Sequence, residues 1–274
     1  IAMTREMGSL GRDVALGVAE ELGLQLVQHE VVEHVADKMQ VGASAVDRFL
    51  EGEASFMERW RIDRQRVSLF TAEEIYDIAS KGNVLIRGWG AAHLLRPVSH
   101  VLSVRVCAPM PKRVQVMRER IGIEDPEVAR KEIEKNDAHH TMTMTQLSHG
   151  HWQDPLHYDL VLNSAQIPVA AGVTVIKKLV QEPAFAETDE SCAHLADLKL
   201  EAKVHAALKQ HPQTKGLDSF FDVTLQPRTG KILITGMVDN DNVSMAAEEV
   251  IRNVPEVKDV ENQLLISTRL RVGP

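Results

Sequence analysis

Residues 1–15 read Ile-Ala-Met-Thr-Arg-Glu-Met-Gly-Ser-Leu-Gly-Arg-Asp-Val-Ala and carry the strongest signal in the chain. An apolar run stops at Thr4, two glycines follow, and a helical pattern begins after Arg12. A strand, a glycine-containing turn and a helix N-terminus can hold an anion, because backbone N–H groups and the helix dipole favour negative charge there. The stretch therefore predicts a phosphate-binding loop, and a short turn with no ligand is equally compatible with it.

The loop departs from the Walker A pattern, GxxxxGK[ST], in two places. Gly11-Arg12-Asp13 stands where that pattern has Gly-Lys-[Ser/Thr], and Glu6 stands where its first glycine would fall. Spacing alone therefore leaves both interpretations open.

Length and composition indicate a globular protein of two domains. The 274 residues exceed one ordinary small domain, and a content of 44% hydrophobic and 26% charged residues is typical of globular chains. The net charge of −8 argues against a broad nucleic-acid surface. We expect no nucleic-acid partner, while a small local basic pocket stays compatible with this charge.

Cysteine usage and hydropathy favour the cytoplasm. Cys107 lies in an apolar run and Cys192 in a polar stretch far along the chain, so no disulfide framework is indicated. No apolar run reaches the roughly 18 residues that a membrane span needs, and no signal-peptide pattern is visible. We therefore expect a cytoplasmic protein with no transmembrane segment.

Predicted strands and helices alternate over the first 180 residues. This alternation favours an α/β fold with a parallel sheet and helices on both faces. Beyond the opening strand, the predicted strands are 24–27, 84–86, 100–108 and 158–163, and the predicted helices are 13–22, 29–39, 44–80, 111–120, 126–146 and 169–180.

The C-terminal part of the chain has a different pattern. A polar, acidic stretch at 183–193 is interpreted as a linker between domains 1–182 and 194–270. After it the sequence predicts an α+β module of under 80 residues. Its elements are a helix at 195–208, strands at 220–225 and 232–238 around a turn at 228–231, a helix at 244–251 and a strand at 257–266.

Four stretches in order resemble the cytidylate-kinase-like family, a branch of the P-loop nucleoside monophosphate kinases. Residues 4–12, TREMGSLGR, are similar to its loop, usually SRExGSGGR, and residues 84–90, VLIRGWG, are similar to its Gly-Arg-Gly strand end. Asp137 and His140 fall where the family has Asp-x-x-Arg in its lid. Residues 152–164, WQDPLHYDLVLNS, are similar to its WxDP…YDLVINT ending.

The resemblance implies phosphoryl transfer from ATP to a nucleoside monophosphate such as CMP, assisted by Mg²⁺. It places the donor phosphates on Gly8, Ser9, Leu10, Gly11 and Arg12, with Asp13 at the magnesium position. Arg12 would replace the Walker lysine, because its guanidinium is always charged and binds phosphate bidentately.

The resemblance also implies an acceptor site. Arg87, Arg118 and Asp137 are the expected substrate-binding residues, and Arg12, Arg87 and His140 the expected catalytic ones. Arg113 and Arg120, on the helix before the lid, are further candidates for phosphate contact.

Two departures from the family pattern leave the activity open. Leu10 replaces a glycine where the backbone must approach a phosphate, and His140 replaces the lid arginine. Residues 139–145 contain no lysine or arginine, so the lid would give a transferring phosphoryl group little stabilisation. The hypotheses are an active kinase, a catalytically impaired nucleotide-binding sensor, and a scaffold for homo-oligomers.

Residues 230–238, GKILITGMV, and 254–264, VPEVKDVENQL, resemble the BON module. The resemblance implies a regulatory module that binds phospholipid, another apolar ligand or a protein partner.

Three residue groups admit two interpretations each. The histidines are compatible with a metal site, although their spacing fits no standard motif and favours a solvated lid. Trp152 either closes a substrate pocket or packs in the core, and we favour packing. Four arginines either meet a nucleotide phosphate or form a solvated face, and we favour the solvated face. The histidines are His139, His140, His149, His151 and His157, and the arginines are Arg59, Arg61, Arg64 and Arg66.

Overall fold

The computed structural model describes residues 1–27, 30–50, 63–148, 151–214 and 221–267. The chain divides into two compact units, residues 1–191 and 192–274. Each unit has its own sheet and its own hydrophobic core.

The first unit is built on a five-stranded parallel sheet in the order β2-β3-β1-β4-β5. This confirms the predicted α/β class, and β1 lies at the centre because its residues are almost entirely buried. The strands are β1 (Ala2–Arg5), β2 (Gln25–Val27), β3 (Val84–Arg87), β4 (Ser103–Cys107) and β5 (Leu160–Asn163).

The described helices of this unit follow the sequence pattern closely. The predicted helix at 44–80 corresponds to two described helices, and residues 51–62 between them lie outside the described ranges, with Arg59 and Arg61. The helices are α1 (Gly11–Leu22), α2 (Glu30–Met39), α3 (Ala43–Leu50), α4 (Arg64–Ser80), α5 (Ala91–Leu94), α6 (Met110–Ile121), α7 (Pro126–Ser148) and α8 (Val169–Val180).

The main core of the first unit lies between the sheet and the pair formed by α1 and α8. Val14 and Val18 of α1 and Ile176 of α8 contact Val104 and Val106 of β4 in one buried cluster. The buried residues of α1 and α8 lie on one side of each helix, and this side packs both helices against the same face of the sheet.

The stretch predicted as a linker is partly helical. A 3₁₀ turn covers Pro183–Phe185, and α9 (Asp189–Gln210) begins six residues before its predicted start. The Thr188 amide donates to Ser191 Oγ at 3.0 Å, and the Ser191 amide donates to Thr188 Oγ1 at 3.1 Å. This reciprocal capping satisfies amides at the start of the helix, so the stretch predicted as a linker includes the first turn of α9.

The second unit has the predicted α+β order. β6 (Phe221–Gln226) pairs antiparallel with β7 (Lys231–Val238), and β7 pairs parallel with β8 (Asp259–Ile266) after the crossover helix α10 (Asp241–Arg252). Residues from α9, α10 and one face of this sheet form a separate hydrophobic core.

Neither membrane spans nor disulfides are found in the described residues. Every helix in this part of the chain is too short or too polar to cross a bilayer. Cys107 and Cys192 are both free thiols.

The core of the first unit can be tested with two neighbours on α8. Ile176 is completely buried, whereas Val175 is 39% exposed. We expect Ile176→Ala to lower the free energy of unfolding by about 2–5 kcal/mol, because it leaves a cavity, and Val175→Ala to change it by about 0.5 kcal/mol. All three tryptophans precede residue 191, so their fluorescence in a urea titration reports on this unit. Equal effects of the two substitutions would contradict this packing.

Candidate functional site

The loop at 6–10 lies at the topological switch point of the sheet. It joins the carboxyl end of β1 to α1, and the chain runs to β2 on one side of β1 and crosses from β3 to β4 on the other. In open parallel sheets, ligands bind in the crevice outside the carboxyl ends of strands at such a point.

The first turn of α1 presents amides without acceptors. The Asp13 and Val14 amides both donate to the Leu10 carbonyl, and no side chain in the described part of the protein caps the helix. The amides of Leu10, Gly11 and Arg12 have no acceptor among the described residues. Such amides together with the helix dipole form a site for an anion.

Leu10 adopts the left-handed helical conformation, with φ 60° and ψ 11°. A residue with a Cβ is strained there by about 1–2 kcal/mol, whereas glycine is not. Glycine at this position would adopt the same conformation without that strain. Leucine at this position therefore keeps the loop conformation at the expense of local strain.

Hydrogen bonds and a close contact hold the loop against neighbouring strands and α6. Ser9 Oγ donates to the Val106 carbonyl at 3.0 Å, and Ser164 Oγ donates to the Ser9 carbonyl at 2.6 Å. A Cβ added to Gly8 would lie 2.6 Å from the Arg113 carbonyl oxygen. The loop conformation is therefore set before any ligand binds.

A buried ionic network lies behind the loop. The Glu6 carboxylate accepts from Arg105 Nη2 at 2.6 Å and from the Ala108 amide at 3.1 Å. Arg113 lies 3.7 Å from the same carboxylate, and its Nε donates to the Met7 carbonyl at 2.7 Å. Glu6, Arg105 and Arg113 are all buried, so the network fixes β1, β4, α6 and the loop relative to one another.

Arg113 also holds the lid helix α7. Its two Nη atoms donate to the two Asp137 carboxylate oxygens at 2.8 and 2.7 Å. The predicted substrate residue Asp137 is therefore engaged by an arginine of the protein itself. Through this guanidinium, the position of α7 is coupled to the loop that follows β1.

Trp152 is a packing residue next to the lid. It is 1% exposed, and its Nε1 donates to Thr141 Oγ1 at 2.9 Å. The Arg105 guanidinium lies 5.1 Å from its ring, and the His140 ring meets it edge-on at 4.4 Å. The Trp152 side chain therefore connects α7 to β4.

Two histidines, His140 on α7 and His93 on α5, have strongly lowered pKa values. Burial, with a smaller contribution from Arg5, lowers the pKa of His140 to about 4. Burial, with a smaller contribution from His157, lowers the pKa of His93 to about 4. Both imidazoles are therefore neutral at pH 7, and neither Nε2 has a hydrogen-bond partner among the described residues.

A strained turn follows β3. Gly88, Trp89 and Gly90 have φ values of 96°, 49° and 76°, so a buried aromatic residue takes the left-handed conformation between two glycines. The Trp89 Nε1 atom is buried without a partner in the described part of the chain. Strain and an unsatisfied donor at a strand end are typical of functional sites.

The other predicted site residues differ in their placement. Arg12 is exposed on the first turn of α1 without a partner among the described residues, and Arg87 is the last residue of β3, beside Met3 of β1. Asp13 forms an ion pair with Arg120. Arg118 is exposed on α6, and no described contact brings it to this site.

Sequence reasoning missed the roles of Glu6, Arg105 and Arg113 in the ionic network. One signal was available, since Arg105 interrupts the apolar run of β4, and a buried arginine requires a buried acceptor. Arg66 is half-buried and lies 5.5 Å from the Phe70 ring, so this member of the arginine cluster does not lie on a fully solvated face. The Arg64 side chain and His149 lie outside the described part.

The residues fit a phosphate better than a metal ion held by protein alone. No three His, Cys, Asp or Glu side chains within the described ranges could hold a metal ion. Asp13 as a single protein ligand is compatible with Mg²⁺, because this ion keeps water and phosphate oxygens as its other ligands. Arg120 would have to release that carboxylate first.

Comparison with known proteins supports this architecture. The model of the cytidylate kinase-like family matches residues 1–166, and that of the BON domain matches residues 196–268. No curated protein matches the sequence.

Two solved structures are similar to part of this chain. An uncharacterized protein from Eubacterium ventriosum ATCC 27560 has a TM-score of 0.53 and 20% identity over 66% of this chain and 97% of its own. Shikimate kinase from Bacteroides thetaiotaomicron has a TM-score of 0.42 and 11% identity over 66% and 97%. The first of these shows a shared fold.

Two loop substitutions should change stability in opposite directions. Gly8→Ala places a Cβ against the Arg113 carbonyl at a φ of 78°, and we expect the free energy of unfolding to fall by about 1–3 kcal/mol. Leu10→Gly relieves the left-handed leucine, and we expect a rise of up to about 1 kcal/mol after the entropy of glycine in the unfolded chain is subtracted. Tryptophan fluorescence in urea measures both. A loss of stability in Leu10→Gly as large as that in Gly8→Ala would contradict the strain at Leu10.

Proposed function

We propose that this chain, which belongs to the cytidylate kinase-like family, binds ATP at the loop 8–12 and transfers a phosphoryl group to a nucleoside monophosphate such as CMP. The observation that carries the proposal is that the amides of Leu10, Gly11 and Arg12, at the start of α1, have neither an acceptor nor a side-chain cap among the described residues. The exposed Arg12 guanidinium follows them directly.

The residues of the loop would bind and orient the donor phosphates. Ser9, held by Val106 and Ser164, keeps the loop in place, so no reorganisation is required when the phosphates bind. Arg12 would neutralise developing charge on the transferring group. Mg²⁺ bound at Asp13 would supply further neutralisation of the phosphate oxygens.

The acceptor would bind between the end of β3 and the lid helix. Arg87 ends β3, and Trp89 offers an indole N–H that lacks an acceptor within the described part. Asp137 and His140 lie one turn apart on α7, and the buried Trp152 would exclude water on the lid side. Transfer depends on this alignment of donor and acceptor, because the protein contributes mainly positioning and charge.

A second candidate is a nucleotide-binding sensor without turnover. One observation favours it, because His140 replaces the lid arginine and is neutral at pH 7. A lid without a cation gives a transferring phosphoryl group little stabilisation. The loop amides would still bind the nucleotide phosphates in such a sensor.

A coupled assay with ATP, Mg²⁺ and each common nucleoside monophosphate tests the kinase. We expect turnover with CMP or a relative, and Arg12→Ala should reduce it by about 100-fold or more, because it removes the charge next to the loop. The control is Arg130→Ala, a surface arginine on α7 that lies 3.7 Å from Glu127 and should leave turnover unchanged.

Absence of turnover with every acceptor would reject the kinase. Thermal unfolding with millimolar ATP then tests the sensor, because a ligand at 100 times its Kd stabilises a protein by about 2.7 kcal/mol without being consumed. A midpoint that ATP and the monophosphates leave unchanged would reject the sensor as well.

We propose that the second unit binds an apolar ligand, with phospholipid as its first candidate. Met237 and Leu265 are register neighbours on β7 and β8, and they are 51% and 66% exposed. Strand alternation places them on the face opposite to the buried Ile232 and Ile234. An exposed apolar pair of this kind is suited to an apolar ligand.

Flotation of the full chain with phospholipid vesicles tests this surface. We expect binding to phosphatidylglycerol or phosphatidylcholine vesicles and a loss of at least about fivefold in the double variant Met237→Ser, Leu265→Ser, since apolar area removed from membrane contact lowers affinity. Gln263→Ser, on the same face, is the matched control. Equal flotation of the double variant and the control would contradict the assignment.

A further inference from the structure

His140 occupies the lid position where the family pattern has a permanent cation. Its imidazole is half-buried on α7, and its Nε2 atom is buried with no hydrogen-bond partner among the described residues. An unpartnered polar atom at such a place points to a group that arrives with the ligand.

Four titratable or charged groups from four elements surround the His140 imidazole. They are Arg5 at the end of β1, Arg105 on β4, His93 on α5 and Asp137, one turn earlier on α7. Arg105 is already bonded to Glu6, and Asp137 to Arg113. The Trp152 ring meets the imidazole edge-on, with the two ring centroids 4.4 Å apart.

These surroundings favour the neutral imidazole only while no anion is present. Burial and the two arginines lower the pKa of His140 to about 4. A phosphate placed among the same groups reverses the sign of the local charge, and an opposite charge within about 4–6 Å raises a pKa by about one to three. The pKa of the liganded imidazole would then lie between about 5 and 7.

We propose that His140 takes up a proton from solvent when the phosphate of a nucleoside monophosphate binds beneath α7, so that the lid acquires its cation only in the liganded state. The proton binds to one imidazole nitrogen, and the Nε2–H then donates to a phosphate oxygen. No other bond forms or breaks. This inference rests on the proposed function, because it assigns the acceptor phosphate to this pocket.

In this arrangement the lid carries its positive charge only when the phosphate is bound. A permanent arginine at 140 would lie near Arg5 and Arg105 in the empty site and repel them. A neutral imidazole avoids that repulsion and still supplies a positive charge when the phosphate arrives. Binding should therefore tighten as the pH falls toward the pKa of the liganded imidazole.

Isothermal titration calorimetry of CMP binding to the full chain tests the coupling. Titrations at pH 6.5 in two buffers of different ionisation enthalpy give the number of protons bound with each CMP. We expect wild type to take up more protons than His140→Gln, with a difference of up to about three quarters of a proton. The ratio of their affinities should grow by roughly tenfold from pH 7.5 to pH 5.5. Both proteins bind the same CMP, so any proton that the nucleotide itself takes up contributes equally to the two measurements and does not affect their difference.

The His140→Arg variant provides an independent arm, and its folding is checked by thermal unfolding. It should bind CMP more tightly than wild type at pH 7.5 and lack the additional proton uptake. His194→Gln, an exposed histidine on α9, is the matched control and should keep the uptake of wild type.

The possible failures are distinguishable. If CMP binds and both His140 variants take up the same number of protons as wild type, the role of His140 is overturned and the proposed function stands. If CMP, UMP, AMP and GMP all fail to bind wild type at millimolar concentration, the proposed function is overturned together with this inference.

Discussion

The first unit depends on the burial of one carboxylate, that of Glu6. A buried charge requires partners, and Glu6 has them in Arg105 of β4 and Arg113 of α6. Removal of one partner from such a network costs about 3–5 kcal/mol, because the other charge is left buried. Arg113 also binds the Met7 carbonyl and Asp137. The same buried ion pairs therefore hold the loop, β1, β4 and α7 in place.

Much of the fold could be predicted because its signals are local. The apolar run around Val104 and the helical spacing of Val14 and Val18 each indicate an element without reference to the rest of the chain. The start of α9 could not be predicted in this way. Thr188 and Ser191 are polar in composition, and only their mutual hydrogen bonds make them a helix start.

Only those parts of the candidate site that are contiguous in sequence could be predicted. The loop 8–12 and the lid position of His140 are visible in sequence, and the structure places the loop at the carboxyl end of β1. The pairing of Glu6 with Arg105 joins residues that are 99 positions apart. It follows from the register that sets Thr4 beside Arg105, which sequence pattern does not encode. The left-handed Leu10 was equally hidden, because leucine gives no signal for that conformation.

The turn after β3 limits how the sequence itself can vary. Residues 88–90 take three successive positive φ values, and the central side chain is a buried indole. Replacement of either glycine would add a Cβ in a disfavoured conformation, while replacement of Trp89 would empty a buried volume. A substitution at any of these three positions is therefore expected to lower the stability of the fold, through backbone strain at the glycines or through lost packing at Trp89. Variation near the end of β3 is therefore expected at positions outside this tripeptide.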